Sequence, residues 1–388
     1  MTNTLIKQTA EQMVQLRQRI HQYPELAYQE FQTANLVAQE LRSYGLHVTT
    51  GIAETGVAAL LKKSDGPTVA FRADMDALPI VESNALAYCS SHAGVMHACG
   101  HDGHTAMLLG AAKVLSQMDS FAGNILFIFQ PAEENEGGAK SMLDAGLFEQ
   151  FPVDSIYGLH NIPGVPLGTV MAQPGPVSAA FDIFDIAIEG RGGHGAIPDL
   201  AADPIVAASA LIQSFNTIVS RKVSPLDSAV VSIGKLSAGD TYNVIPERAD
   251  IKGSCRSFNQ NVQTLLKQQI LNMCRHVGQA YGVNISCKYE EKYPAVINDE
   301  NATKVLQEAV HEWLPKTSMI TEFKPFMGSE DFSYFLNAKS GCYFGLGNGE
   351  DSAALHTPQY NFNDALLEKG IDLWVAIAKQ CFSPTINP

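Results

Sequence analysis

No run of about 18 consecutive apolar residues occurs in the chain, which removes the signature of a membrane-spanning helix. No cluster of lysine and arginine offsets the formal net charge of -14, so nucleic acid and anionic lipid are excluded as electrostatic partners. Cys-x-x-Cys pairs are also missing. The seven cysteines (Cys89, Cys99, Cys255, Cys274, Cys287, Cys342 and Cys381) are odd in number and scattered, which argues against a structural zinc ribbon and a disulfide framework. A reducing cytoplasm is the expected compartment. The start of the chain lacks a cationic segment followed by an apolar block, so export is not expected. Internal repeats, low-complexity tracts and long charge blocks are absent, and aromatics make up only 8% against a hydrophobic content of 46%, as in soluble α/β proteins. At 388 residues the chain exceeds the roughly 250 to 300 at which one core stops growing, so two domains are expected.

Against this background one stretch is dense in chemistry. Met96-His97-Ala98-Cys99-Gly100-His101-Asp102-Gly103-His104 holds three histidines, a cysteine and an aspartate. An apolar core has no use for such a set, whereas thiolate and imidazole donors suit first-row transition metals better than magnesium or calcium. Asp102 has the character of a helix N-cap. Residues 105–118 then repeat apolar side chains at helical spacing and read as an amphipathic helix, with His101 just before its first turn. The positive end of that helix disfavours imidazolium and favours thiolate, biasing His101 and Cys99 towards metal-binding forms.

The surrounding periodicities predict helices over 9–20 and 30–44, with His21 and Tyr23-Pro24-Glu25 in the connection between them. Strands are predicted over 57–61, 68–71, 125–129, 156–159 and 342–346. Polar groups follow these strands: Arg72, Asp74 and Asp76 after the second, Glu133 and Glu134 after the third, His160 after the fourth and His356 beyond a Gly-rich loop after the fifth. Open α/β sheets place their ligand crevice at the carboxyl ends of the strands, so one site is expected to be assembled from distant segments. The middle of the chain reads β(181–188) α(203–219) β(229–236) β(249–258) α(262–281) β(283–288), a self-contained βαββαβ unit. The expected organisation is a catalytic domain of residues 1–178 and 293–388, a mixed, mostly parallel sheet flanked by helices, with an inserted domain of residues 179–292. Helices over 302–313, 329–337 and 364–381 complete the first domain, and Ser329 is a good N-cap for the second of these.

Adjacent carboxylates beside a metal site can divide labour between a ligand and a general base, and Glu133-Glu134 offers such a pair. Together with Arg72–Pro79, His97–His104, Gln130–Glu134, Gly158-Leu159-His160-Asn161, Gly192-Gly193-His194-Gly195, Asn243-Val244-Ile245-Pro246, Gly328-Ser329-Glu330-Asp331-Phe332 and His356-Thr357-Pro358, the sequence resembles the two-metal amidohydrolases and carboxypeptidases. That family includes hippurate hydrolase, N-acyl-amino-acid deacylases, indole-acetyl-amino-acid hydrolases and carboxypeptidase G, and the resemblance is strongest to the hippurate hydrolase branch.

The resemblance implies a zinc-peptidase-like catalytic domain with two divalent metals, manganese or zinc first and cobalt or nickel also compatible. It implies Cys99, His101, Glu134, His160 and His356 as ligands, with Cys99 bridging, Glu134 and His356 on one ion, and His101 and His160 on the other. Much of the wider family has a histidine two residues before the position of Asp76; here Asp74 stands there, which leaves Asp76 to orient a ligand. Glu133 is implied as general base. His194, Asn243 and Arg256 match substrate-contacting residues, and an arginine fork suits a carboxylate. The inserted domain is implied to act as a lid and to form a homodimer, with His194 in reach of the partner's site. The expected reaction is hydrolysis of a small N-acyl-amino acid to a carboxylic acid and a free amino acid. A peptide's C-terminal residue is itself N-acylated, so dipeptidase or carboxypeptidase action stays open. So does a catalytically silent metal-binding protein with Cys99 as an oxidisable thiol, against which Glu133 and the complete donor set speak.

Overall fold

The computed structural model describes residues 2–118, 122–134 and 136–383. The chain divides into two compact units, one of Met1–Val177, Ile297–Lys324 and Asp331–Pro388, the other of Ser178–Val296 and Pro325–Glu330.

The first unit is built on an eight-stranded sheet with the order 47–52, 56–62, 124–130, 68–74, 155–163, 341–349, 170–171, 319–320. Its four central strands, Asn124–Gln130, Thr68–Asp74, Ser155–Pro163 and Gly341–Gly349, run parallel. Their near-continuous apolar sequences suit strands covered on both faces; every residue from Asn124 to Gln130 is buried. After Thr68–Asp74 the chain moves to one side to form Asn124–Gln130 and then to the other to form Ser155–Pro163. This reversal of direction opens a crevice at the strands' carboxyl ends. The edge strand His47–Ile52 pairs antiparallel with Gly56–Lys62; its polar sequence His-Val-Thr-Thr-Gly-Ile carries no apolar run that would reveal it. Among the described residues, no helix is long and apolar enough to cross a membrane.

The helix after the dense stretch spans His101–Ser116 and so begins four residues earlier than its apolar spacing suggests. It is also not amphipathic: 14 of its 16 residues are buried, because helices Thr2–Gln22 and Leu366–Cys381 both pack on it. Small residues form much of the second buried face. A Cβ on Gly103 would lie 2.3 Å from the Phe362 ring, and one on Gly110 would lie 2.4 Å from Ile371 Cδ1. Gly100, not Asp102, occupies the N-cap position, with φ 95 in the left-handed region that favours glycine. His21 lies inside the first helix and is fully buried rather than in a connecting loop. Glu25 does remain in the connection, where its carboxylate accepts from the amides of Gln32 (3.1 Å) and Thr33 (2.9 Å) at the start of helix Phe31–Ser43.

The second unit has a four-stranded antiparallel sheet in the order 229–238, 248–257, 180–189, 284–293. Helices Pro204–Arg221 and Gln260–Tyr281 share a core with it, centred on Phe184, Leu211, Phe215 and Leu266. Both helices are capped from their sequence: Asp203 accepts from the Ile205 amide (2.8 Å) and Asn259 from the Val262 amide (2.8 Å). Pro325–Glu330, expected in the first domain, groups with this unit instead, tied by the Ala179 amide donating to the carbonyls of Phe326 and Gly328. The helix that follows begins at Ser333, with Phe332 and not Ser329 at its N-cap position.

In the first unit, Phe71 is fully buried and its ring meets those of Trp374, Tyr157 and Phe127 at centroid distances of 4.8, 6.2 and 6.3 Å. Phe71→Ala is expected to destabilise the unit by about 3–5 kcal/mol through lost transfer energy and a residual cavity, read as a lower urea midpoint; an unchanged midpoint contradicts this packing.

Candidate metal centre

The Cys99 thiol lies 3.4 Å from His160 Nε2. His160 sits in strand Ser155–Pro163 opposite Gly345 of the neighbouring strand, and its Nδ1 donates to the Asn161 carbonyl at 2.7 Å, which leaves Nε2 as a lone-pair donor. His101 occupies the first helical position, and its Nδ1 donates to the carbonyl (2.9 Å) and Oδ1 (3.2 Å) of Asp76. Its Nε2 is buried without a hydrogen-bond partner among the described residues. His356, held in the left-handed region at φ 60, donates its backbone amide to the Ala98 carbonyl at 2.8 Å and brings Nε2 to 3.2 Å from Glu134 Oε1.

These side chains form two overlapping groups, Cys99 with His101 and His160, and Cys99 with Glu134 and His356. In each, the donor atoms lie within 4.8 Å of one another. Glu133 is buried and joins His101 and Glu134 in a third such group. A set of thiolate, imidazole and carboxylate donors around a buried, unpartnered His101 Nε2 is chemically suited to a pair of divalent cations.

Asp74, His101 and His104 also approach one another within 4.8 Å, yet their lone pairs are largely committed. Asp74 accepts from Arg72 Nη1 (2.7 Å) and from His104 Nδ1 (2.6 Å). His104 Nε2 in turn accepts from the Asn161 amide at 3.0 Å. Asn161 Nδ2 donates to the Cys99 carbonyl at 2.7 Å, while Asn161 Oδ1 accepts from Tyr360 Oη at 2.7 Å. Gln130 and Asp331 extend this buried network from Arg72. Asn161, Arg72 and Asp331 stand inside the sequence motifs with no role expected of them; the signal they carry is that of a polar residue beside a ligand.

Electrostatics overturn one expectation. Burial, followed by the charges of Glu134, Glu133 and Asp74, pushes the Cys99 thiol well above its usual range. Burial opposes a charge on His101, but Asp74, Asp76 and Glu134 override it and raise its pKa to about 10. Nearby carboxylates thus outweigh the partial charge of the helix end, and in the absence of cations neither group is biased towards its ligand form. His160 does stay neutral, lowered to about 3 by burial and then by His104, while Glu134 raises His356. His97 is buried outside the donor groups and lowered to about 4, mainly by burial.

The remaining expected residues belong to the second unit. His194 is exposed on a two-strand ribbon opposite Val244, and its Nδ1 accepts from the Ala196 amide at 3.1 Å. The carbonyl of Asn243 accepts from the Gly195 amide at 2.9 Å, so the two motifs adjoin. Arg256 lies 3.8 Å over the Phe181 ring, and among the described residues no carboxylate is within ion-pair distance of it.

The model of peptidase family M20/M25/M40 matches residues 70–380. The chain belongs to this family. It is 41% identical to the hippurate hydrolase of Campylobacter jejuni, over 94% of each chain, and 38% identical to the N-acetyl-L-cysteine deacetylase of Bacillus subtilis, over 92% of this chain and 85% of that one. Among solved structures it resembles a dinuclear metal-binding peptidase of family M20 from Bacillus subtilis, with a TM-score of 0.84 and 31% identity over 97% of this chain and 99% of that one.

Behind the metal helix, the first turn of this M20 chain is anchored by charge. Asp102 Oδ2 accepts from His21 Nδ1 (2.8 Å) and Arg17 Nη1 (3.2 Å), and His21 Nε2 donates to Glu82 at 3.2 Å. Burial lowers the His21 pKa, but Asp102 and Glu82 together raise it to about 9. The folded value exceeds the unfolded one of about 6.5, so the stability supplied by ionised His21 is complete below the unfolded pKa and is lost as pH rises through the folded one. The stability difference between wild type and His21→Gln should therefore shrink from pH 6 to pH 9.5 in denaturation midpoints; a constant difference contradicts the pairing.

Proposed function

We propose that the protein is a metal-dependent amidohydrolase that cleaves N-acyl-amino acids of the hippurate or N-acetyl type to a carboxylic acid and a free amino acid. The observation that carries this reading is the convergence of Cys99, His101, His160, Glu134 and His356 into two donor groups with Glu133 alongside. The relatives named hippurate hydrolase and N-acetyl-L-cysteine deacetylase support the substrate class.

In this reading His101 and His160 would hold one cation and Glu134 and His356 the other, with Cys99 available to both; the dinuclear neighbour supports a pair of ions. When bound, such cations acidify water and draw charge from a carbonyl oxygen. Glu133, buried beside the ligand Glu134, takes the proton of the attacking water and returns it to the leaving amine. Asp76 holds His101 through Nδ1 and leaves Nε2 for the metal. His194 donates to the developing oxyanion, while Arg256 and Asn243 hold the carboxylate of the amino-acid half; these three roles rest on family resemblance. Manganese or zinc fits the mixed donor set first.

The inserted unit is proposed to form a homodimer. Leu200, Tyr242, Val244, Leu236 and Val206 are exposed on it, apolar side chains that a second copy would cover. Light scattering that gives the mass of a single chain would remove this part of the proposal.

The chemistry is tested by separating base from ligand. Glu133→Ala should lower kcat by about 100- to 10,000-fold while two ions remain bound, whereas Glu134→Ala should reduce metal stoichiometry as well. Wild-type turnover by metal-loaded Glu133→Ala rules out the base assignment. In the same assays benzoyl- and acetyl-amino acids should be turned over faster than aminoacyl-amino acids; the reverse order moves the protein to the dipeptidases.

A further inference from the structure

Glu133 is flanked by two backbone amides, and a buried carboxylate holds each of them. On its far side, the Glu134 amide donates to Asp76 Oδ2 at 2.9 Å. On its near side, the Ala132 amide donates to Glu30 Oε1 at 2.9 Å. Glu30 is fully buried, although it lies 102 residues earlier in the chain, at the N-terminus of helix Phe31–Ser43. Its second oxygen accepts from Thr55 Oγ1 at 2.6 Å, so both arms of the carboxylate have directed partners and its orientation is set.

The backbone gives this contact its significance. Ala132 has φ 55, a left-handed conformation that a side chain with a Cβ rarely adopts. Its carbonyl accepts from the Gly138 amide at 2.9 Å, so the turn is also closed from the other side. A Cβ on Gly138 would come within 1.7 Å of the Pro131 carbonyl oxygen. Such strain persists where surrounding contacts over-determine it, and it gathers at sites that need a fixed geometry. The chain here leaves a buried strand and must turn at once to direct two successive acids to different tasks.

We propose that Glu30 is a positioning residue for the reaction: by holding the Ala132 amide it enforces the left-handed turn that aims the Glu133 carboxylate. This inference rests on Glu133 being the base. Burial, the first cause, raises the Glu30 carboxyl to about 7 against the hydrogen bonds from Thr55 and Ala132. Either protonation state retains an oxygen able to accept the Ala132 amide, so the anchoring does not require charge.

A glutamine at this position also retains a carbonyl acceptor for Ala132 and can donate to Thr55, whereas alanine removes the anchor. In metal-loaded full-length enzyme assayed with benzoyl-glycine, Glu30→Ala should lower kcat by about 10- to 100-fold, the scale of a misplaced catalytic group, with KM and the two-ion stoichiometry held near wild type. Glu30→Gln should stay within about threefold of wild type, since it keeps the hydrogen bond. Glycine takes a positive φ without the Cβ penalty, so Glu30→Ala/Ala132→Gly should regain at least part of the lost kcat. A purely structural tie between Glu30 and Thr55 predicts no such recovery.

Wild-type kcat in folded Glu30→Ala overturns the proposal, as does a double variant no faster than Glu30→Ala. If Glu30→Ala does not fold, Glu30→Asp serves, because its carboxylate is one methylene short of Ala132; reduced kcat is expected and wild-type kcat overturns the proposal. Glu133→Ala is measured alongside. If it retains turnover, the base assignment has failed; if it is inactive while Glu30→Ala turns over normally, only the positioning role has failed.

Discussion

Burying a thiol, imidazoles and several carboxylates within a few ångströms of one another is the constraint on which the rest of the structure depends. Cys99, His101 and Glu133 are almost wholly buried, with Glu134 beside them. Negative groups taken out of water cost free energy unless they are paired. The protein pairs what it can. Against the cost of its burial, the charge on His101, followed by Arg72 and His104, holds Asp74 well below the usual carboxylate range. What remains, namely an unpartnered His101 Nε2, a Cys99 thiol driven to stay protonated against His160 and a Glu134 paired only with His356, is the part that cations would complete.

The fold meets this constraint by dividing the work. Parallel strands deliver Asp74, His160 and the turn after Gln130 to the same end of the sheet. A fully buried helix starts at the site, fixed by Gly100 at its cap and by Asp102, Arg17 and His21 on its other side. Asn161 then joins the two halves, bridging His104, the Cys99 carbonyl and Tyr360. Directional hydrogen bonds thus orient the His101 and His160 rings, and His104 beside them.

Much of this was legible in the sequence because strand periodicity and motif chemistry are local signals. The run Ile125–Phe129 is continuous apolar sequence and lies inside strand Asn124–Gln130; the predicted strand over 181–188 lies inside Ala180–Glu189. Local signals failed where tertiary packing decided the outcome. Ala106, Gly110 and Ala112 look like a neutral helix face but are buried, Gly110 against Ile371 and Met13 of the two neighbouring helices. Asp102 looks like a cap but is an anchor inside the first turn. Glu30 looks like the polar start of a surface helix, and only the fold brings it to Ala132. The pKa of Cys99 follows from carboxylates contributed by distant segments, which no helix-end rule applied to its own segment could supply.

The central claim is that the chain holds two cations through a shared Cys99. Anomalous diffraction from crystals of the metal-loaded protein, recorded at the absorption edge of the added metal, tests this most directly. Two peaks are expected, both within about 2.5 Å of Cys99 Sγ, given Zn–S distances of about 2.3 Å, with His101 and His160 around one and Glu134 and His356 around the other. A single peak, or a peak held by Asp74 and His104, would contradict the account.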